Sequence, residues 1–151
     1  MHLVFVYGTL KTGQPNNYLL DNPENGYKKY IGKGVTEEKF PLVIASQYNI
    51  PFMLPAAGNE KGQVNKLENH PHWYQRIKTQ IIRSESESTN QNVECWCYFL
   101  TDFIPDLLKL QCHSSYDYKG NHGLAYIAPK DRDLTADGVR KILMSVKSNV
   151  S

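Results

Sequence analysis

Membrane-length apolar runs, an even complement of cysteines and a surplus of either charge are all missing from this chain, and each absence narrows what it can be. No stretch approaches the ~20 apolar residues that cross a bilayer. The apolar run after Met1 is too short for a secretory signal, lacks a basic start and has no small-residue cleavage site. A soluble, cytoplasmic protein with no membrane partner is the expectation. Three cysteines, an odd number, do not make a disulfide framework. Cys95 and Cys97 stand two apart in an apolar run, so a strand there places both on one face as small buried hydrophobes in a reducing compartment. Cys112-His113 alone is too little for zinc, and no metal site is expected. Lys and Arg number 17 against 15 Asp and Glu, a formal net charge of +2. No basic face is advertised, so nucleic acid is not an expected partner.

What the chain does have is aromatic side chains and short apolar runs. Its 151 residues suffice for one domain with a real core. Phe, Trp and Tyr make up 11% of it, ten of them Tyr, which suits a β-rich domain with a partly polar cleft. The patterning predicts strands over Leu3 to Tyr7, Phe40 to Ala45, Tyr74 to Ile82 and Val93 to Leu100. The polar run from Ser84 to Asn92 reads as a hairpin loop between the last two. Short helical signals fall at Asn16 to Leu20 and at Ile104 to Leu110, the latter with Pro105 near its first turn. From Thr135 onward, Val139, Ile142, Leu143 and Val146 recur at helical spacing. The expected fold is a compact, β-rich α+β domain.

Two segments could carry chemistry. In the first, Leu3-Val4-Phe5-Val6-Tyr7 drives into Gly8-Thr9-Leu10-Lys11 and then a polar loop with Gly13 and Pro15. A strand ending on Gly exposes backbone N–H groups that no ladder neighbour claims, and a nest of them can hold an anion or carboxylate. On the residues alone it is either a ligand loop or an ordinary turn. The second is Leu67-Glu68-Asn69-His70-Pro71-His72-Trp73-Tyr74-Gln75-Arg76. Glu68 reads there as a solvated loop acid, as half of a metal site with His70 and His72, or as a general acid/base tuned by burial against Trp73 or Tyr74. Two His two apart with Pro between them match no common metal-ligand spacing.

The wording of these segments resembles the γ-glutamyl cyclotransferase family, in particular its branch acting on γ-glutamylamines. Four stretches in order carry the likeness. They are Phe5-Val6-Tyr7-Gly8-Thr9-Leu10-Lys11 continued by Gly13-Gln14-Pro15-Asn16; Phe40 to Ala45 with Tyr48-Asn49-Ile50-Pro51-Phe52; Leu67-Glu68 followed by Tyr74-Gln75-Arg76; and Ser115-Tyr116-Asp117 with Gly120, His122-Gly123-Leu124 and Tyr126. The resemblance implies a small mixed β-barrel with a few short helices, spanning residues 1–130, and leaves 131–151 as a C-terminal helical tail for docking or solvent. It implies that Glu68 is the catalytic acid/base and that Tyr7, Gly8, Thr9, Leu10, Ile50, Pro51 and Tyr116 bind substrate. The implied activity is that of a lyase that cyclises γ-glutamyl-ε-lysine to 5-oxoproline and frees the amine, degrading transglutaminase crosslinks without metal, nucleotide or redox cofactor. The implied partner is that small molecule alone, and the chain is expected to be a monomer.

One departure from the pattern stands out. Gly62-Gln63-Val64 runs almost directly into Asn65-Lys66-Leu67-Glu68, where the family places a valine-aspartate element and a leucine-bearing helix. Two other functions follow as alternatives: a catalytically impaired binding module of the same family, or a cyclotransferase for γ-glutamyl-amino acids.

Overall fold

The structure, a computed structural model, describes residues 1–55, 74–84 and 91–147. Its longest strands, β4 (Gln75–Arg83) and β5 (Asn92–Phe99), form where β-branched and aromatic residues alternate with polar ones; these β1–β5 labels run in chain order. They pair antiparallel with Gln75 opposite Phe99 and Ile82 opposite Asn92. The register puts Ile77, Thr79 and Ile81 on one face with Cys95 and Cys97. Cys97 is fully buried and Cys95 half-buried, all three cysteines are free, and burial pushes the Cys97 thiol up to about 12. Strand β1 (Gly34–Thr36) adds to the other edge of β4, giving the order β1-β4-β5.

The expected strand over Leu3 to Tyr7 reduces to one parallel bridge, Val4 to Trp96. Phe5 N–H donates to Trp96 O and Trp96 N–H to Leu3 O, each at 2.8 Å. Phe5 and Tyr7 then bury their rings beside Met53, Cys97 and Phe99, and the chain leaves the sheet edge instead of following it.

A separate hairpin, β2 (Leu42–Ala45) and β3 (Ile50–Met53), pairs Val43 with Phe52 and Leu42 with Met53. Its turn places Ser46 and Asn49 in the left-handed region, at φ 66° and 54°. Every residue of β2 is buried, so both faces of the hairpin are covered. Val43, Ala45, Phe52 and Leu54 join Leu100, Leu107 and Val146 on one side, while Leu42 and Ile44 meet Tyr116 on the other. Leu100 N–H donates to Met53 O at 3.0 Å and ties the hairpin to the end of β5. Among the described residues the three-stranded and two-stranded sheets do not close into a barrel, while the mixed α+β architecture with short helices holds.

Short 3-10 helices occupy Asn17–Asp21 and Pro105–Lys109, at two of the positions where the sequence carries helical signals. Helix α1 (Ala136–Val146) starts at Thr135, whose Oγ accepts from Gly138 N–H at 3.2 Å. Ile142 and Val146 are buried, and Val146 O accepts from Ile104 N–H at 2.9 Å. The tail helix thus docks on the chain's own core. Burying Phe52, Leu54, Leu100, Val43 and Val146 stabilises the fold by about 1.5–3 kcal/mol for each side chain. No described helix is long and apolar enough to cross a membrane.

Gly138 in the first turn of α1 offers a check on this docking. Replacing Gly by Ala in a helix ordinarily stabilises by about 1 kcal/mol. Here a Cβ would run into the Asp133 side chain and carbonyl oxygen. Gly138→Ala is therefore expected to lower the urea-unfolding free energy by about 1–3 kcal/mol, the cost of overpacking. A neutral or stabilising result would show that the chain before α1 is not held against it.

Candidate functional site

The loop from Gly8 onward is built by its own polar side chains. Lys11 N–H donates to Gly8 O at 3.1 Å and Asn16 N–H to Thr9 O at 2.9 Å, closing a tight turn. Asn16 Nδ2 donates to Thr9 Oγ1 at 3.1 Å, and Asn17 Nδ2 to Leu10 O at 2.8 Å. The loop is held from outside as well. Lys11 Nζ lies 2.9 Å from Ser115 Oγ, Gln14 accepts from Tyr118 N–H at 2.9 Å, and Asn16 Nδ2 donates to Tyr126 Oη at 2.8 Å. Burial lowers the Lys11 ammonium from its ordinary range, with Asp117 acting in the opposite direction.

Gly8 faces β3 across a close approach. A Cβ at Gly8 would stand 3.1 Å from Pro51 Cγ, so a side chain there has to displace the ring. Pro51 therefore stands against the loop, whereas Ile50, expected beside it, lies two residues from Phe52 and packs with it on the core face. Phe52, which the sequence groups with them, points to the opposite face, into the core, where it stacks on Tyr74 at 5.8 Å between ring centroids. Alternation along a strand makes that division inevitable.

Tyr7 and Tyr116 come together on the outer face of the hairpin, packed with Leu42 and Ile44. Tyr116 is 1% exposed, and its hydroxyl has no hydrogen-bond partner among the described residues. Burial, then Tyr126 and Asp117, push its phenol up to about 12. Tyr7 is raised well above its ordinary range by burial and then by Tyr74, with a backbone hydrogen bond at Met53 opposing. Tyr74 is raised by burial and by Tyr126, while Arg132 pulls it back. Tyr7 and Tyr116 thus lie by the Gly8–Leu10 turn and Tyr126 reaches it through Asn16, while Tyr74 stacks on Phe52 at the core face. Burial keeps Tyr7 and Tyr116 as neutral hydroxyls at physiological pH, able to donate toward a carboxylate or a developing oxyanion.

Of the residues singled out from sequence, Tyr7, Gly8, Thr9, Leu10, Pro51 and Tyr116 lie near one another, while Ile50 packs into the core on the opposite face of the hairpin. Glu68, with His70 and His72, lies outside the described residues, and the described chain resumes at Tyr74. Sequence reasoning assigned no role to Asn16, Tyr126 or Arg132. The first two stood inside quoted motifs. Arg132 had no signal, because its place depends on a fold-back of the chain. No group of three or more His, Cys, Asp or Glu that could hold a metal ion occurs among the described residues.

Comparison with known proteins shows which family this chain is similar to. A family model described as gamma-glutamyl cyclotransferase, AIG2-like, matches residues 4–120. The Danio rerio protein named gamma-glutamylaminecyclotransferase C is 40% identical over 147 residues, which take in 87% of this chain and 96% of that one. The Homo sapiens gamma-glutamylaminecyclotransferase is 35% identical over 153 residues, 87% of this chain and 100% of its own. A crystal structure of an AIG2-like protein from Mus musculus superposes with a TM-score of 0.73 at 37% identity, covering 87% of this chain and 100% of that one. The human alignment, at 153 residues, is longer than the whole 151-residue chain, of which it takes in 87%, so that relative carries residues within it that this chain lacks.

Tyr116 supplies a test with a sign. Its hydroxyl satisfies no described group, so Tyr116→Phe is expected to leave stability at pH 7 within about 1 kcal/mol of wild type or to raise it. An unfolded phenol ionises near 10. The stability tied to a neutral Tyr116 is therefore complete below about pH 10 and lost as pH rises through about 12. Urea-unfolding midpoints measured from pH 8 to 12 should fall less steeply in Tyr116→Phe than in wild type. Parallel curves would contradict the burial of this phenol.

Proposed function

The chain belongs to the γ-glutamyl cyclotransferase, AIG2-like family, a family of enzymes, and from that premise we propose that it cyclises γ-glutamylamines, γ-glutamyl-ε-lysine above all, to 5-oxoproline and the free amine. The observation that carries this reading is the gathering of the Gly8–Leu10 turn, Pro51 and the Tyr116 hydroxyl, unpartnered among the described residues, at one place in a chain of this family.

The reaction asks little of the protein. A γ-glutamyl amide holds its own nucleophile, the α-amine, placed to close a five-membered ring on the γ-carbonyl. At neutral pH that amine is an ammonium ion and cannot attack. Glu68, as a carboxylate, takes its proton, and the freed amine adds to the carbonyl carbon. The protonated Glu68 then gives the proton to the departing nitrogen as the C–N amide bond breaks, and the second proton shed by the ring nitrogen passes to the freed amine, which leaves as an ammonium ion. Atoms balance without water or cofactor. Backbone N–H groups around Gly8, Thr9 and Leu10 serve either the carbonyl oxygen or the substrate α-carboxylate, with the Tyr7 and Tyr116 hydroxyls as further donors.

The leaving-group side favours an amine. A γ-glutamyl-amino acid carries a second carboxylate and calls for an uncommitted cation near β3. The wall contributed by Pro51 is apolar instead, and the Arg132 Nε donates to Ile127 O at 2.8 Å. Degradation of the crosslink unit left when transglutaminase-joined proteins are digested would be the biological outcome, in the cytoplasm. The residues that the human relative has and this chain lacks keep a second reading alive, a binding module that retains the loop but has lost turnover.

Purified protein incubated with γ-glutamyl-ε-lysine should release 5-oxoproline and lysine in equal amounts. Glu68→Gln should slow that release by about 10²–10⁴-fold, the usual contribution of a general acid/base. Wild type and Glu68→Gln together at background would overturn the enzyme reading for this chain. Calorimetric binding of 5-oxoproline by both would then identify the binding module.

A further inference from the structure

Residues 125–133 lie beyond the stretch that matches the family model, yet they reach back to the loop at Gly8. Three contacts pin this segment to the β2–β3 turn. Asn49 Nδ2 donates to Ala125 O at 2.8 Å, Ile127 N–H to Tyr48 O at 3.1 Å, and Asp133 N–H to Tyr48 Oη at 2.9 Å. Tyr126 is held between the first two. The Arg132 guanidinium lies over the Tyr126 ring at 5.2 Å and over the Tyr48 ring at 5.4 Å, and its Nε donates to Ile127 O at 2.8 Å. A planar cation between two aromatic faces, fixed by its own hydrogen bond, leaves little freedom to the ring it covers. At the far end of that ring, Tyr126 Oη accepts from Asn16 Nδ2 at 2.8 Å, and the same amide donates to Thr9 Oγ1 at 3.1 Å.

We infer that Arg132 is a positioning residue for the candidate site: through Tyr126 and Asn16 it sets the place of the Gly8–Leu10 turn. The chain of contact is continuous, from Arg132 to Tyr126 ring, Tyr126 Oη to Asn16 amide, and Asn16 amide to Thr9 hydroxyl. Each link also has a distinct chemical nature, which separate substitutions can cut. Arg132 additionally lowers the Tyr74 phenol against the upward push of burial, so its charge is felt at that ring. Arg132 touches no reacting atom in this scheme. Its consequence for rate rests on the cyclotransferase reading, whereas its hold on the turn does not.

Tyr126→Phe cuts the middle link and keeps the stacked ring; Arg132→Gln removes the clamp; Arg132→Lys keeps a cation over the rings and covers the case in which Gln prevents folding. Hydrogen–deuterium exchange of residues 8–17 is followed in each free protein, beside the kcat and KM for γ-glutamyl-ε-lysine and the thermal midpoint. Tyr126→Phe and Arg132→Gln are each expected to speed exchange in residues 8–17 and to lower kcat/KM by about three- to tenfold, the size of one hydrogen bond's net effect. Arg132→Lys should fall between them and wild type. The double variant should lose no more than the worse single one, because both act along one path. Multiplying losses, or a lowered thermal midpoint with exchange in residues 8–17 unchanged, would overturn the proposal. Should wild type release no 5-oxoproline, the proposed activity fails, while the exchange data still decide whether Arg132 holds the turn.

Discussion

The β2–β3 hairpin is buried on both faces, and the rest of the molecule is arranged around that constraint. A two-stranded ribbon is marginal alone in water and must be covered. One face takes Leu100, Leu107 and Val146, drawing in the end of β5, a 3-10 helix and α1. The other takes Tyr116 and Tyr7, drawing in the opening segment and the chain around residue 116. Because Val43 pairs with Phe52 and Leu42 with Met53, each face receives alternate side chains from both strands. A slip of one residue would exchange the core face for the site face, so register and candidate site are fixed together.

This arrangement explains why the site is lined by phenols. The outer face of the hairpin is apolar, and a ligand loop laid against it needs side chains that bury a ring yet keep a donor. Tyr7, Tyr116 and Tyr126 meet both demands. Burial raises the phenols of Tyr7 and Tyr116, and neighbouring acidic groups raise them further. Those two therefore present neutral O–H groups over the whole physiological range. Thr9 and Asn16 add short polar side chains that fix the backbone turn beside them.

Most of the larger strands were legible in the sequence, and the reasons are local. β4 and β5 carry alternating apolar positions such as Ile77 and Ile81 against Cys97 and Phe99, and period two is a property of a few adjacent residues. β1 was not legible: Gly34–Thr36 is three residues long with Val35 pointing to solvent, and only pairing with β4 makes it a strand. β3 was hidden because Pro51 sits inside it and its residues face two packed sides, leaving no alternation to read. Leu3 to Tyr7 has the composition of a strand but bridges β5 once, since its rings find burial before its backbone finds a ladder. Of the candidate site, the Gly8 turn was visible as a Gly after an apolar run, and the naming of Pro51 and Tyr116 came from family likeness, which also named Ile50, a residue that alternation turns into the core. Arg132 was invisible, because its role exists only once residues 125–133 fold back over Tyr48.

The site divides into two parts with different physical requirements. Under the proposed function, binding needs neutral donors at fixed positions, and the turn at Gly8, clamped by Asn16 and faced by Tyr116, would supply them from residues that also complete the core. Removing a proton from an ammonium ion needs a base with an ordinary carboxylate pKa, and none of the raised phenols can serve at neutral pH. The base must therefore be delivered from outside these phenols, which is the part assigned to Glu68. A group so delivered depends on the stretch that carries it, and a displacement of about 1 Å can cost about a hundredfold in rate. The turn has ties of its own, to β3 and to residues 115–126. Under the proposed function, shortening the chain before Glu68 would act on turnover more than on recognition, so rate and binding are to be measured separately.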